Sequence, residues 1–381
     1  MQLRTVGLFS NKALNFITFS VAIALIFIII TKTTQKSILL GTPEETTVET
    51  ETTTEITYDL STYEVKTHKG LVNLEVLNEK VFKSLGFEVM LPTLPIPTLR
   101  MTTFKEPTCA TVFSEYLEVA EKALPNSEDV SDDSPKFHND DFLMNGFAAF
   151  NETIFMPKEG EKANRPKNWD KISEMMELTK EELDEVAKLG GIQSMFSAMH
   201  MYPVLRMSGL IIGSVTPWLE VMTLQHGAQH ILTLESNELE IEEEYRDRLS
   251  SMHPMEFANK WGLYAETFDF VATFGFIERS GLGRYREPMD PIGDLREIMK
   301  IKCVLKQGGL LYLGLPYGTD ALQFQSQRIY GSLRLAMMFS GFEWVATFTG
   351  RSPKRVQLRS QKRQSTNLFN PIRYTFVLKK L

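Results

Sequence analysis

The run Met207-Ser208-Gly209-Leu210-Ile211-Ile212-Gly213-Ser214-Val215-Thr216-Pro217-Trp218 decides the fold. Leu210-Ile211-Ile212 is a short apolar stretch closed by a glycine, which reads as a buried strand. Thr216 follows as a helix cap. Pro217 takes the first helical position, where a missing amide hydrogen costs nothing. That helix carries Trp218, Val221 and Met222 inward and ends at Gly227. Further along, His230–Leu234 is a second strand closed by Glu235, a charged helical piece covers Glu238–Arg248, and Phe268–Phe274 is another strand. Asp294, with Glu297 three positions on, caps a helix in which Leu295, Ile298, Ile301 and Leu305 recur at helical spacing. Gly308-Gly309 ends it, and Leu310–Leu315 is the next strand. Strand and helix alternate, the mark of a parallel sheet with helices on both faces.

The chain closes differently. Phe342–Phe348 and Ile372–Leu378 are two strands separated by a basic, polar segment with no apolar helical pattern, which implies an antiparallel pair. From Arg351 to Lys380 there are nine basic residues and no acidic one, read as a solvated loop. Upstream, residues 63–206 form a helical and irregular extension. Leu91–Pro97 holds three prolines and cannot be a helix. Glu128–Asp141 is an acid-rich loop without the glycine and terminal glutamate of a calcium loop. Thr179 and Glu182 form a capping box for a helix that stops at Gly190-Gly191, and a second helix covers Ile192–Tyr202.

The first 62 residues are of another kind. Residues 1–12 read as a short cytosolic tail. Ala13 to Thr31 is a 19-residue stretch without a charge. At about 1.5 Å per residue it spans roughly 28 Å, close to the hydrocarbon core of a bilayer. It reads as a single membrane anchor. Residues 32–62 follow as a stalk, in which Thr42–Thr57 holds eight threonines and five glutamates. Such a stretch builds no core. With the sequon Asn151-Glu152-Thr153 it implies a glycoprotein whose globular part is lumenal or extracellular.

Composition narrows the function. The 381 residues carry 48 acidic against 41 basic side chains, a net charge of −7, which argues against a surface built for nucleic acid. Two cysteines, Cys109 and Cys303, are too few for a disulfide scaffold, a four-cysteine zinc site or an iron–sulfur cluster held by cysteines alone. His226, His230 and His253 have no metal spacing, so no metal site is expected.

In a doubly wound sheet the ligand lies beyond the carboxyl ends of the strands. Gly213 and Ser214 stand there, where backbone amides at a helix start can face a carboxylate or ribose. Glu235, 22 residues after Gly213, suits ribose hydroxyls. After the Phe268–Phe274 strand comes Glu278-Arg279-Ser280-Gly281-Leu282-Gly283-Arg284-Tyr285. Glu278 is the candidate general base, Arg284 an anion clamp, and Tyr285 completes the catalytic set. The alternative is a structural loop with surface ion pairs.

These residues carry a resemblance. Pro217-Trp218-Leu219-Glu220, Phe268-Asp269-Phe270-Val271, Ser280-Gly281-Leu282-Gly283-Arg284-Tyr285, Asp290-Pro291-x-Gly293-Asp294-Leu295, Lys306-x-Gly308-Gly309-Leu310 and Arg328-Ile329-Tyr330-Gly331 resemble a family of domains of unknown function found on single-pass proteins. Over roughly a third of the chain, that family is similar in layout to class I S-adenosylmethionine-dependent methyltransferases. The resemblance implies a Rossmann-like, mostly parallel α/β sheet over 207–381 with an antiparallel closing strand pair, preceded by one transmembrane helix. It further implies S-adenosylmethionine as cofactor and a small-molecule or glycan acceptor. The sequence departs from the pattern at Arg279, where the family has histidine, and at Arg286-Glu287, where it has Gly-Asp. Phe324–Arg328 also lacks the expected asparagine and histidine before Arg328. Two imidazoles, the side chains that titrate nearest neutrality, are thereby lost. Two functions remain open: a membrane-anchored methyltransferase, or a non-catalytic binding protein on the same fold.

Overall fold

The computed structural model describes residues 58–102, 107–121, 140–151, 167–283, 289–324, 326–350 and 368–381. The anchor at 13–31, most of the stalk, most of the acid-rich loop, Arg284 and Tyr285 lie outside the described residues, as do 351–367 of the basic segment. Among the described residues no helix is long and apolar enough to cross a membrane.

A seven-stranded sheet forms the body of the unit Tyr58–Leu381. Its strands are β1 (Ser208–Ile212), β2 (His230–Leu234), β3 (Leu249–Met252), β4 (Phe268–Phe274), β5 (Leu305–Tyr317), β6 (Phe342–Thr349) and β7 (Ile372–Lys380), in the spatial order β3-β2-β1-β4-β5-β7-β6. The first five strands run parallel, and β7 is antiparallel to both β5 and β6. This is the mostly parallel sheet with an antiparallel closing pair that the alternation implies.

Period-two alternation puts each strand's apolar residues into two cores. Leu210, Val271, Leu311, Leu313, Phe376 and Leu378 face one side; Ile211, Phe270, Ala272, Tyr312 and Val377 face the other. The helices α6 (Gly293–Val304) and α7 (Ser332–Met338) cover the first core, with α1 (Cys109–Glu121) packed on α6; α2 (Lys180–Ala187), α3 (Gln193–Met201) and α4 (Trp218–Gln225) cover the second. Trp218, Val221 and Met222 are buried as expected. Gly314 sits opposite Phe274 on β4, and a Cβ there would lie 2.0 Å from the phenylalanine ring. The missing side chain is what admits the ring.

Several local expectations are corrected. The charged piece after Glu238 contains a strand, Leu239–Ile241, and a short 3-10 turn, because Lys167–Trp169 from the extension pairs alongside that strand. β3 follows it, and then α5 (Pro254–Asn259). The Thr179–Glu182 capping box forms, but its helix ends at Ala187 with Lys188 in the left-handed conformation, two residues before the glycines. Thr216 makes no side-chain cap; Pro217 takes the cap position of α4. Asp294 lies inside the first turn of α6 and is used elsewhere. Helix α6 stops at Val304, and Gly308-Gly309 fall within the long β5.

The extension, expected to be helical and irregular, also contains strands. Phe87–Leu91 and Thr98–Met101 pair antiparallel around the proline-rich turn. Ala149–Asn151 adds a parallel strand to the hairpin Ala321–Gln323 and Gln327–Ile329. The two cysteines, too few for a scaffold, bond to each other: Cys109 at the start of α1 joins Cys303 near the end of α6, with 5.6 Å between their Cα atoms. Beside this link, Arg296 of α6 pairs with Glu115 of α1 at 2.9 Å.

Candidate functional site

The order of the sheet reverses between β1 and β4, so the carboxyl ends of those strands define the edge where a ligand is expected. Gly213 closes β1 with φ +75, and a Cβ there would lie 2.2 Å from the ring of Phe276, which follows β4. The half-buried ring therefore rests directly on the glycine. Ser214 is 3% exposed, and its hydroxyl donates to Glu220 Oε2 at 2.7 Å. The other oxygen of Glu220 accepts from Thr233 Oγ1 of β2 at 2.8 Å. Glu220 is 0% exposed, and burial pushes its carboxyl up to about 7 against the pull of the two hydroxyls. Glu235 ends β2 half-buried, and its Oε1 accepts from both the backbone and side-chain amides of Asn237, at 3.1 and 2.6 Å. Gly213, Ser214 and Glu235 thus stand at the expected edge, with Ser214 and Glu235 engaged in local hydrogen bonds.

Glu278 lies in the 3-10 turn Ile277–Arg279 after β4 and is 0% exposed. Its Oε1 is 2.7 Å from Nη1 of Arg373, a residue of β7. The same guanidinium donates through Nη2 to Gln327 Oε1 at 3.3 Å, and its carbon lies 5.5 Å from the centre of the Phe274 ring. Gln327 belongs to the Phe324–Arg328 stretch singled out in the sequence. The fold therefore does gather Glu278 and position 327, and it joins them through one arginine. Glu278, the candidate base, is thus fully buried with one carboxylate oxygen held by a guanidinium. Arg284 and Tyr285, the other expected catalytic residues, fall outside the described residues.

The remaining motif residues form a buried ionic knot behind this turn. Arg334 donates through Nε to Asp294 Oδ2 at 3.0 Å and through Nη2 to Asp294 Oδ1, and Tyr330 donates its hydroxyl to Asp294 Oδ2 at 3.0 Å. Arg328 donates to the carbonyls of Ser280 and Asp290, at 2.6 and 2.9 Å. Burial works to raise the Asp294 carboxyl, yet the Arg328 and Arg334 guanidinia hold it below its ordinary value. Asp320 accepts from the amides of Gly331, Leu333 and Arg334, so it caps α7; burial nevertheless raises its carboxyl. These side chains tie the loop after β4 to the hairpin after β5.

Sequence reasoning missed Glu220, Phe276 and Arg373. Arg373 carried a usable signal, a lone charge at the start of an apolar strand. Phe276 carried none, since its role depends on the left-handed turn at Gly213.

No curated protein matches the chain. Among solved structures, one similar chain is a Burkholderia thailandensis 1,6-didemethyltoxoflavin-N1-methyltransferase, bound to 1,6-didemethyltoxoflavin and S-adenosylhomocysteine. It has 12% identity and a TM-score of 0.36, with 55% of this chain and 86% of that one covered. The 4+2 cyclase SpnF has 13% identity and a TM-score of 0.33, with 49% and 80% covered. A Streptococcus thermophilus protein described as a candidate hemolysin has 13% identity and a TM-score of 0.32, over 49% of this chain and 65% of that one. Likenesses this loose assign neither activity nor ligand. Residues 206–381, which hold the whole seven-stranded sheet, match the model of the family described as "Caenorhabditis protein of unknown function, DUF268".

Proposed function

We propose that this chain is a membrane-tethered protein whose methyltransferase-like domain faces the secretory lumen or the cell exterior and binds a ligand without transferring a methyl group. The observation that carries the reading is the engagement of Glu278, the intended base and itself fully buried, with Arg373 at 2.7 Å. Arg279, where the resemblance leads one to expect histidine, supports it. S-adenosylmethionine, which the resemblance implies, does not fit the loop as it stands. Phe276 fills the face of Gly213, Ser214 is bound to Glu220, and Glu235 Oε1 is bound to Asn237.

The location rests on three features: the apolar run 13–31, the threonine-rich stalk and the Cys109–Cys303 bond. Disulfides persist in oxidising compartments. The rival reading, an S-adenosylmethionine-dependent methyltransferase with a small-molecule or glycan acceptor, draws on Glu235 at the end of β2.

The test uses the full chain in detergent, titrated with S-adenosylmethionine and S-adenosylhomocysteine, and then incubated with methyl-labelled cofactor and a membrane extract. The proposal expects no saturable cofactor binding and no labelled product. Binding that disappears in Glu235→Ala, followed by labelled product, establishes the rival.

A further inference from the structure

The hairpin of Phe87–Leu91 and Thr98–Met101 carries no charge from Val89 to Leu99, a run of 11 residues. Met90, Leu91 and Leu94 around its tip are 48%, 36% and 53% exposed, so three large apolar side chains stand in water side by side. Water disfavours such a patch, and its exposure marks a surface that something else covers. The tip has a fixed base. Phe87, Ile96 and Leu99 are buried in the first core, and the Leu99 carbonyl accepts from Ser340 Oγ at 3.3 Å.

The chemistry of the tip selects its occupant. A bilayer interior supplies no hydrogen bonds, so a segment that enters it must carry few unpaired donors. Pro92, Pro95 and Pro97, half of the six residues between the strands, have no amide hydrogen. Thr93 Oγ1 donates to the Ile96 carbonyl at 2.8 Å and accepts from Thr98 Oγ1 at 3.0 Å, so both hydroxyls are satisfied within the tip. A protein partner draws its selectivity partly from charges and polar contacts, and this tip offers few of either. The first charges on each side, Glu88 and Arg100, pair across the strands at 3.1 Å. Val89, Met90 and Leu91 beyond that pair, at about 3.3 Å each, extend roughly 10 Å, close to the depth that interfacial apolar groups reach below the headgroups.

We propose that the tip Met90–Leu94 inserts into the surface of the bilayer that holds the apolar run 13–31. The proposal rests on the membrane-tethered part of the reading above. Residues 32–57 join the run to the domain, and these 26 residues reach at most about 90 Å. Insertion is then intramolecular, so a contact too weak to hold a free domain is populated at the effective concentration the tether sets. A second point of attachment also orients the domain on the membrane, which a stalk alone does not.

The experiment uses the full chain reconstituted in phosphatidylcholine vesicles. Cys109 and Cys303 are bonded to each other, so Leu94→Cys supplies the free thiol for an environment-sensitive nitrobenzoxadiazole label. Leu263→Cys, at a 74% exposed position in the 3-10 turn after α5, carries the same label as control. The label at position 94 is expected to emit to the blue of that at 263 and to be quenched by lipid bearing a nitroxide high on its acyl chain, with the control unquenched. Adding Met90→Asp should diminish the quenching. No quenching at 94, in a chain that floats with the vesicles and resists alkaline carbonate, overturns insertion and leaves the tether standing. A blue shift without quenching also overturns it, because the tip is then covered by protein, and so does equal quenching at both positions. A chain that does not float with the vesicles overturns tether and insertion together.

Discussion

Arg373 Nη1 lies 2.7 Å from Glu278 Oε1, across a gap that separates the last strand of the sheet from the turn after its fourth. Neither residue is near the other in sequence, so the pair locks the closing strand to the candidate site. With Glu278 fully buried, loss of the arginine strands a charge. Arg373→Met is expected to destabilise the protein by about 3–5 kcal/mol, the usual cost of breaking a buried pair from one side. Urea unfolding measures it. A loss below about 1 kcal/mol, the worth of a surface pair, would mean that water already reaches the site.

Asp294 receives Arg334 and Tyr330 and has Arg328 beside it, with 0% exposure. Asp294→Asn removes the charge that balances two buried guanidinia. We expect a loss of about 3–5 kcal/mol in unfolding free energy. Hydrogen exchange should quicken at Ser280–Gly283 and Gln327–Tyr330, which the knot joins. Faster exchange spread evenly through β1 and β2 instead would deny the knot its local role.

Glu220 gives a signed pH dependence. Its folded-state carboxyl is raised from 4.5 to about 7, so the stability it contributes is fully present below about pH 4.5 and is lost as the pH rises through about 7. The difference between those limits is on the order of 3 kcal/mol. The wild type is therefore expected to lose stability, relative to Glu220→Gln, as the pH is raised across that window. Parallel stability curves for the two proteins would show that the carboxyl titrates normally. Asp294 works in the opposite sense, with a lowered carboxyl whose contribution is lost in acid below its ordinary value.

The Cys109–Cys303 bond closes a loop between residues 194 apart in sequence. Cys109→Ser is expected to lower unfolding free energy by about 2–5 kcal/mol. The check is alkylation: both thiols should resist iodoacetamide in the folded wild type and react after reduction. Ready labelling without reductant would refute the bond.

Much of the fold was legible because strand and helix periods survive in the sequence. Leu210–Ile212, His230–Leu234 and Phe268–Phe274 are apolar runs bounded by turn residues, and they are strands. β3 was hidden because Leu249-Ser250-Ser251-Met252 is half polar and its strand character comes from pairing with β2. The segment after Glu238 was misread for a similar reason, since its partner Lys167–Trp169 lies 70 residues upstream. At the site, residue type pointed to Glu278 and Glu235, and both stand at the carboxyl edge of the sheet. Their partners were invisible: Arg373 and Asn237 act through geometry that only the closed sheet supplies.

The link between α1 and α6 also sets a timetable for synthesis. Cys109 leaves the ribosome 194 residues before its partner. At about 5–20 residues per second, that interval lasts roughly 10–40 s. Throughout it the helix that Cys109 begins has no α6 to dock on, and its thiol has no partner. Fidelity in making this protein therefore depends on shielding one early thiol until most of the sheet exists.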